Sequence, residues 1–222
     1  VMKEKIIVSD FDGTITTRDT LSTFLKEYAP KEWLILEDKW VKGEMGSAEC
    51  LQKQFGLIKN ISPEMIEEFV DTIEIDSYFK EFNEIRLKNN VNFLILSDGL
   101  DYFINRILQK HGIKNIDIVS NHAEFLNGKF TISFPNQNNG CIKNSGTCKC
   151  DVIKNLRQKY KEIYYIGDGT SDICVADKSD ILFAKSTLLD YCKKIGLNCI
   201  EFGTYKEVVN YDRLGFNIWW GN

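Results

Sequence analysis

Ile6-Ile7-Val8-Ser9-Asp10-Phe11-Asp12-Gly13-Thr14 is the stretch whose reading decides the fold. A short β-branched run that breaks into polar residues reads as a buried strand, the kind a parallel sheet contains. Asp10 and Asp12 stand at i and i+2, so an extended chain puts both carboxylates on one side. Phe11 between them is free to point into a core, Gly13 admits a turn, and Thr14 is expected to bond a local backbone group. Taken alone, the pair reads equally well as an ordinary Asp-Gly turn after a strand.

The same arrangement recurs twice. Val91 to Leu96 runs into Ser97-Asp98-Gly99, and Ile163 to Ile166 runs into Gly167-Asp168-Gly169. Between the strands the text is helical. Leu100, Phe103, Ile104, Ile107 and Leu108 mark one helix, stopped near Gly112, and Val152, Ile153, Leu156 and Tyr160 mark another. Further helices are expected over about 171–178 and 187–194, with short strands at 116–119, 181–183 and 198–200. Asn127-Gly128 inside the alternating stretch 123–134 is a hairpin turn signal. Strands alternating with helices predict an α/β fold, a parallel sheet covered on both faces. The exception is 18–88, all helical, with Thr20 as a possible cap and Ser62-Pro63 as a second helix start. It is read as a helical cap inserted in a core made of 1–17 and 89–222. Ligands of open α/β sheets bind at the carboxyl ends of the strands, so the three polar tripeptides are expected to converge.

Composition narrows the function. The chain has 222 residues, 43% hydrophobic and 12% aromatic, enough to bury a large core. The net charge of −4 and the absence of a long basic run give no footprint for nucleic acid. No apolar run is long enough to span a membrane, and the first one is too short for a signal peptide. Seven cysteines, an odd number without a secretion signal, are read as mostly reduced thiols of a cytoplasmic protein. Cys141, Cys148 and Cys150 in an Asn/Gly-rich loop are plain thiols, a disulfide, or metal ligands with His122 as a fourth, although C-x6-C-x-C matches no common zinc site. Monomer and homodimer both stay open.

Asp168 ends a strand and Asp172 follows one turn later. With Asp10 they make a set of hard oxygens suited to Mg²⁺; alone, Asp172 also suits a helix N-terminus. Like charges crowded at strand ends are costly without a cation, which favours the metal. Ser97 carries a hydroxyl before a helix start, where backbone N–H groups suit a phosphate, though an N-cap serine reads the same way. Lys149, on its own, reads as a solvated surface lysine.

In order, Asp10-Phe-Asp-Gly-Thr14, Ser97, Lys149 and Gly167-Asp-Gly-Thr-Ser-Asp172 resemble the four motifs of the haloacid dehalogenase-like phosphohydrolase superfamily, over essentially the whole chain. That resemblance implies a Rossmann-like core with a C1-type cap. Tyr28-Ala-Pro-Lys-Glu-Trp33, Asn121-His-Ala123, Cys148-Lys149-Cys150 and Phe183-Ala-Lys185 are similar to the methionine-salvage phosphatases, and more distantly to the phosphoserine and phosphoethanolamine/phosphocholine phosphatases. It is this likeness that selects Lys149, with Lys143 and Lys154 as fallbacks. It implies hydrolysis of a small phosphomonoester, with Asp10 as nucleophile and Asp12 as general acid and base. It also implies Mg²⁺ held by Asp10, Asp168, Asp172 and the Asp12 carbonyl, and phosphate held by Ser97, Asp98, Gly99 and Lys149. Intact Asp10 and Asp12 argue against the alternative, a non-catalytic phosphate-binding protein. Asp19 is the first choice for a polar contact from the cap to substrate, with helix capping as its other reading. Phe24, Tyr28, Trp33 and Trp40 are further cap residues that line the pocket or pack between helices. Trp219-Trp220 are expected to pack on the core or on a partner subunit.

Overall fold

The computed structural model describes residues 2–141 and 143–216. In chain order the elements are β1 (Lys3–Ser9), α1 (Thr20–Tyr28), α2 (Trp33–Val41), α3 (Ser47–Gly56), α4 (Pro63–Asp71), α5 (Phe79–Lys88), β2 (Asn92–Leu100), α6 (Asp101–Lys110), β3 (Asp117–Leu126), β4 (Lys129–Ser133), α7 (Lys149–Arg157), β5 (Tyr160–Gly167), β6 (Ile181–Ala184), α8 (Ser186–Ile195), β7 (Ile200–Glu201) and α9 (Tyr205–Val209). The strands form one sheet in the order β4-β3-β2-β1-β5-β6-β7. Every pairing is parallel except β3 with β4, the hairpin turned by Asn127 and Gly128, both at positive φ as a tight two-residue turn requires. Trp219-Trp220 lie outside the described residues. Among the described residues no helix is long and apolar enough to cross a membrane.

Each central strand divides its side chains between two cores, as a sheet covered on both faces must. Ile7, Phe93, Ile95, Tyr164, Ile166 and Phe183 join the larger core, shared with α5, α6, α9 and the inserted helices. Ile6, Val8, Leu94, Leu96, Tyr165 and Leu182 join the smaller core beneath α7 and α8. β1 sits between β2 and β5, with Ser9 opposite both Ile95 and Ile166. The ends of the three strands are thereby aligned at the point where the strand order reverses.

The inserted helices leave and rejoin the sheet through a narrow neck. Thr16 bridges Ile75, the Thr17 N–H donates to the Glu74 carbonyl at 3.0 Å, and the Asp76 N–H donates to the Ile15 carbonyl at 2.8 Å. α5 comes after this neck and packs on β2 and α9. We therefore draw the end of the cap near 76 rather than at 88. α3 and α4 rest on β4 and α6, and aromatic rings fill the seam. Phe24 lies 4.8 Å from Phe103 and 4.9 Å from Phe69 between ring centroids, and Phe55 lies 5.2 Å from Phe130.

Several expected boundaries move. β2 runs on through Ser97-Asp98-Gly99 to Leu100 with a register shift, so α6 begins at Asp101 and Ser97 caps no helix. The strand placed at 116–119 is the start of one strand, 117–126, which includes the first arm of the hairpin. Tyr160 opens β5 instead of closing α7, because the chain turns at Gln158. The helix expected over 171–178 is a 3-10 turn, Thr170–Val175, tightened by the Asp172 carboxylate accepting the N–H groups of Asp168 and Gly169. Asp19, not Thr20, caps α1, accepting the Ser22 N–H at 2.7 Å.

Candidate active site

The turn after β1 is wound around one carbonyl. The N–H groups of Thr14, Ile15 and Thr16 all converge on the Phe11 oxygen, and Phe11 is fully buried. Gly13 takes φ +77°, and a Cβ there would meet Asp168 Oδ2 at 2.5 Å, so glycine is required both for the turn and for the approach of the acid. The Thr14 hydroxyl reaches across to Asp168 instead of bonding a local backbone group. The Asp10 N–H donates to the Ile166 carbonyl at 2.9 Å, extending the β1–β5 ladder by one residue and fixing Asp10 at its edge.

Asp10 is 5% exposed. Its Oδ1 accepts the Phe11 N–H at 2.8 Å and faces the Lys149 ammonium at 3.1 Å. Lys149 is not a solvated residue. It opens α7, is 2% exposed, and also contacts Asp172 Oδ1 at 2.7 Å and the Ser171 hydroxyl at 3.2 Å. Burial opposes its charge, but Asp10 and Asp172 outweigh burial and hold its pKa well above the ordinary lysine value. Burial, then repulsion from Asp172, pushes Asp10 well above the usual carboxylate range, with Lys149 pulling the other way. Burial, then Asp172, brings Asp168 up to about 6. Asp172 is the exception. Burial would raise it, yet Lys149, Tyr165 and the Gly169 N–H hold it low.

One carboxylate oxygen from each of Asp10, Asp168 and Asp172 falls within 4.8 Å of the others. Asp172 accepts from Lys149, the Tyr165 hydroxyl, and the N–H groups of Asp168 and Gly169. Those donors take up the roughly four lone-pair sites of a carboxylate, so Asp172 acts as a support more than as a free ligand. The Asp12 carboxylate is not part of this group. It lies against Gly99, where a Cβ would overlap its Oδ2 and come within 3.0 Å of Ser97 Oγ. Burial, then Asp19, raises Asp12 to about 7, while the neighbouring Thr20 pulls it down.

The phosphate-binding expectation meets a mixed arrangement. The Gly99 N–H donates to Ser97 Oγ at 2.9 Å, so the two already pair with each other. The Asp98 side chain is turned away to the Thr147 N–H at 2.9 Å and to Asn121 at 3.0 Å, leaving only its backbone for a ligand. Asp10, Asp12, Ser97, Gly99 and Asp168 line a cavity of ≈ 140 Å³ roofed by the cap. Asp19 lines it while capping α1. Of the cap aromatics only Trp40 reaches it; Phe24 is buried in the seam. The sequence reading missed Tyr165, Glu37 and Gln54. Tyr165 sits in a strand of apolar residues and gives no signal of its own; Glu37 and Gln54 read as ordinary helix-surface residues. His122 pairs with Asp101 at 2.7 Å, not with the loop thiols.

The family model described as Putative Phosphatase matches residues 5–186. A 2-hydroxy-3-keto-5-methylthiopentenyl-1-phosphate phosphatase of Bacillus pumilus (strain SAFR-032) is 34% identical over 93% of this chain and 90% of its own length. A protein of the same name from Bacillus velezensis is also 34% identical, over 91% of this chain and 87% of its own length. Among solved structures, a substrate-bound phosphoserine phosphatase complex aligns with TM-score 0.70 at 20% identity, covering 95% of this chain and 99% of that one. A phospho-aspartyl intermediate analogue of phosphoserine phosphatase aligns with TM-score 0.69 at 19% identity, covering 94% and 99%.

Proposed function

This chain belongs to the Putative Phosphatase family of haloacid dehalogenase-like phosphohydrolases, and from that premise we propose that it hydrolyses a small phosphorylated metabolite with Mg²⁺, through a phosphoryl group carried on Asp10. The observation that carries the reading is the pairing of Asp10, buried and held at 3.1 Å from Lys149, with a second acid, Asp12, whose pKa near 7 suits proton transfer in both directions.

Asp10 Oδ1 is engaged by Lys149 and the Phe11 N–H, which leaves Oδ2 for attack on phosphorus. As the Oδ2–P bond forms and the ester P–O bond breaks, Asp12 hands its proton to the leaving oxygen. Asp12, now a carboxylate, takes a proton from water, which attacks the same phosphorus, frees inorganic phosphate and restores Asp10. Lys149 and the Ser97 hydroxyl neutralise the phosphoryl oxygens. Asp10 and Asp168, with the Asp12 carbonyl, would hold the cation, a donor set of hard oxygens that fits Mg²⁺. Bound there, it would screen the approach of an anionic phosphate to an anionic carboxylate. The substrate named for the Bacillus relatives is the first to assay.

The test is phosphate release from p-nitrophenyl phosphate, with and without Mg²⁺, by the wild-type chain and by Asp10→Asn. Mg²⁺-dependent release that the variant loses supports the proposal. Normal turnover by Asp10→Asn refutes it.

A further inference from the structure

The floor of the cavity is phosphate chemistry; its roof is a separate surface, contributed by the cap. Glu37 of α2 faces inward there, and its Oε2 accepts from the Gln54 amide at 2.8 Å. Gln54 is 2% exposed and also bonds the Trp33 carbonyl at 3.4 Å, so α3 fixes the carboxylate from behind. Asp19 shares the same space from the start of α1. Thr20, next to it, is fully buried beside the Asp12 carboxyl and lowers its pKa, so it supports the acid from behind the cavity wall. Among the described residues that line the cavity none is Lys, Arg or His. Leu25, Leu51 and Trp40 complete the wall.

Two carboxylates, with no cation among the side chains that line the cavity, select by charge. A leaving group that carries its own carboxylate meets Glu37 and Asp19 with no cationic side chain to neutralise it, in a cleft where the repulsion is screened less than in bulk water. A leaving group that carries a hydroxyl or an ammonium donates to both acids. Resting on the phosphatase reading above, we propose that Glu37 and Asp19 form the leaving-group subsite, that it takes an uncharged or cationic hydrogen-bond donor, and that it rejects anionic leaving groups.

Two matched pairs of esters test this. Phosphoethanolamine and phosphoserine differ by one carboxylate; 2-hydroxyethyl phosphate and phosphoglycolate differ by a hydroxymethyl in place of a carboxylate. With Mg²⁺, kcat/KM of the wild-type enzyme is expected to favour the carboxylate-free member of each pair by about 100-fold or more. The ranking of phosphoethanolamine against 2-hydroxyethyl phosphate separates ammonium from hydroxyl recognition. Glu37→Gln and Asp19→Asn are each expected to narrow the gap about tenfold. A general loss of folding would lower both members alike and leave the ratio unchanged, so the ratio reads the subsite itself. An enzyme that turns over p-nitrophenyl phosphate yet prefers phosphoserine or phosphoglycolate overturns this inference and leaves the phosphatase reading standing. So does a gap that neither substitution moves. No turnover of any ester overturns both.

Discussion

Gly99→Ala places one methyl group against the proposed general acid. The new Cβ would overlap Asp12 Oδ2, stand 3.5 Å from Asp12 Cγ and 3.0 Å from Ser97 Oγ. The Gly99 backbone is not in the left-handed region, so alanine brings no strain of its own. The relief must come from the Asp12 carboxyl, which has to retreat by about 1 Å, a misplacement that costs on the order of 100-fold when a proton must be delivered in line. General acid catalysis is worth roughly 100- to 10,000-fold, so the loss should fall at the lower end of that range. The assay compares kcat for an alkyl phosphate, whose alkoxide needs the proton, with kcat for p-nitrophenyl phosphate, whose phenolate needs it less. We expect a loss of about 100-fold for the first and about tenfold for the second, with a melting temperature within a few degrees of wild type. Equal losses on both esters, or no loss on either, would refute the placement of Asp12 as the acid.

Asp12→Asn should accumulate phosphorylated Asp10, because water attack loses its base; after mixing with substrate the phosphoryl group should be found by mass spectrometry on the peptide carrying residue 10, and its absence counts against the two-step scheme. EDTA should abolish activity and Mg²⁺ restore it, with Asp168→Ala raising the Mg²⁺ concentration for half-maximal rate far more than Ser97→Ala; full activity in metal-free buffer ends the cation assignment. Metal-free protein should melt at lower temperature as pH rises from 5 to 8. Burial lifts Asp12 to about 7 and Asp168 to about 6 from 3.8, and Asp101 lifts His122, so the native state binds protons that the unfolded state has released or is releasing, and stability falls as pH climbs through the folded values. Mg²⁺ should raise the melting temperature more at pH 8 than at pH 5, and a melting temperature that climbs over this window without metal would contradict the crowding argument.

The acids of the candidate site are legible in the sequence because their signal is local. A β-branched run, two acids at i and i+2, and a glycine define a strand end and a pair of carboxylates beside it without reference to the rest of the chain, and Gly167-Asp168-Gly169 places a further acid at a strand end. The alternation of strands and helices then places these ends on one edge of a parallel sheet. Lys149 was not legible in this sense. Nothing in its own neighbourhood separates it from 27 other basic residues, and only resemblance selected it; its role comes from Asp10 and Asp172, 139 and 23 residues away. Asp172 likewise reads as a helix-start acid, and only the Tyr165 hydroxyl, the Lys149 ammonium and two backbone N–H groups meeting on it turn it into the support of the loop. Ser97 and Gly99 became strand residues because a register shift in β2, set by its pairing with β3, delays the helix to Asp101. The roof of the cavity is the furthest from the sequence. Glu37 and Gln54 lie 17 positions apart on two exposed-looking helices, and face the same small volume only because the aromatic seam fixes the cap over the strand ends. Hydrophobic period and turn chemistry act over a few residues, so they determine elements and the acids at their ends. Which charges meet depends on long-range packing, which fold and burial decide together.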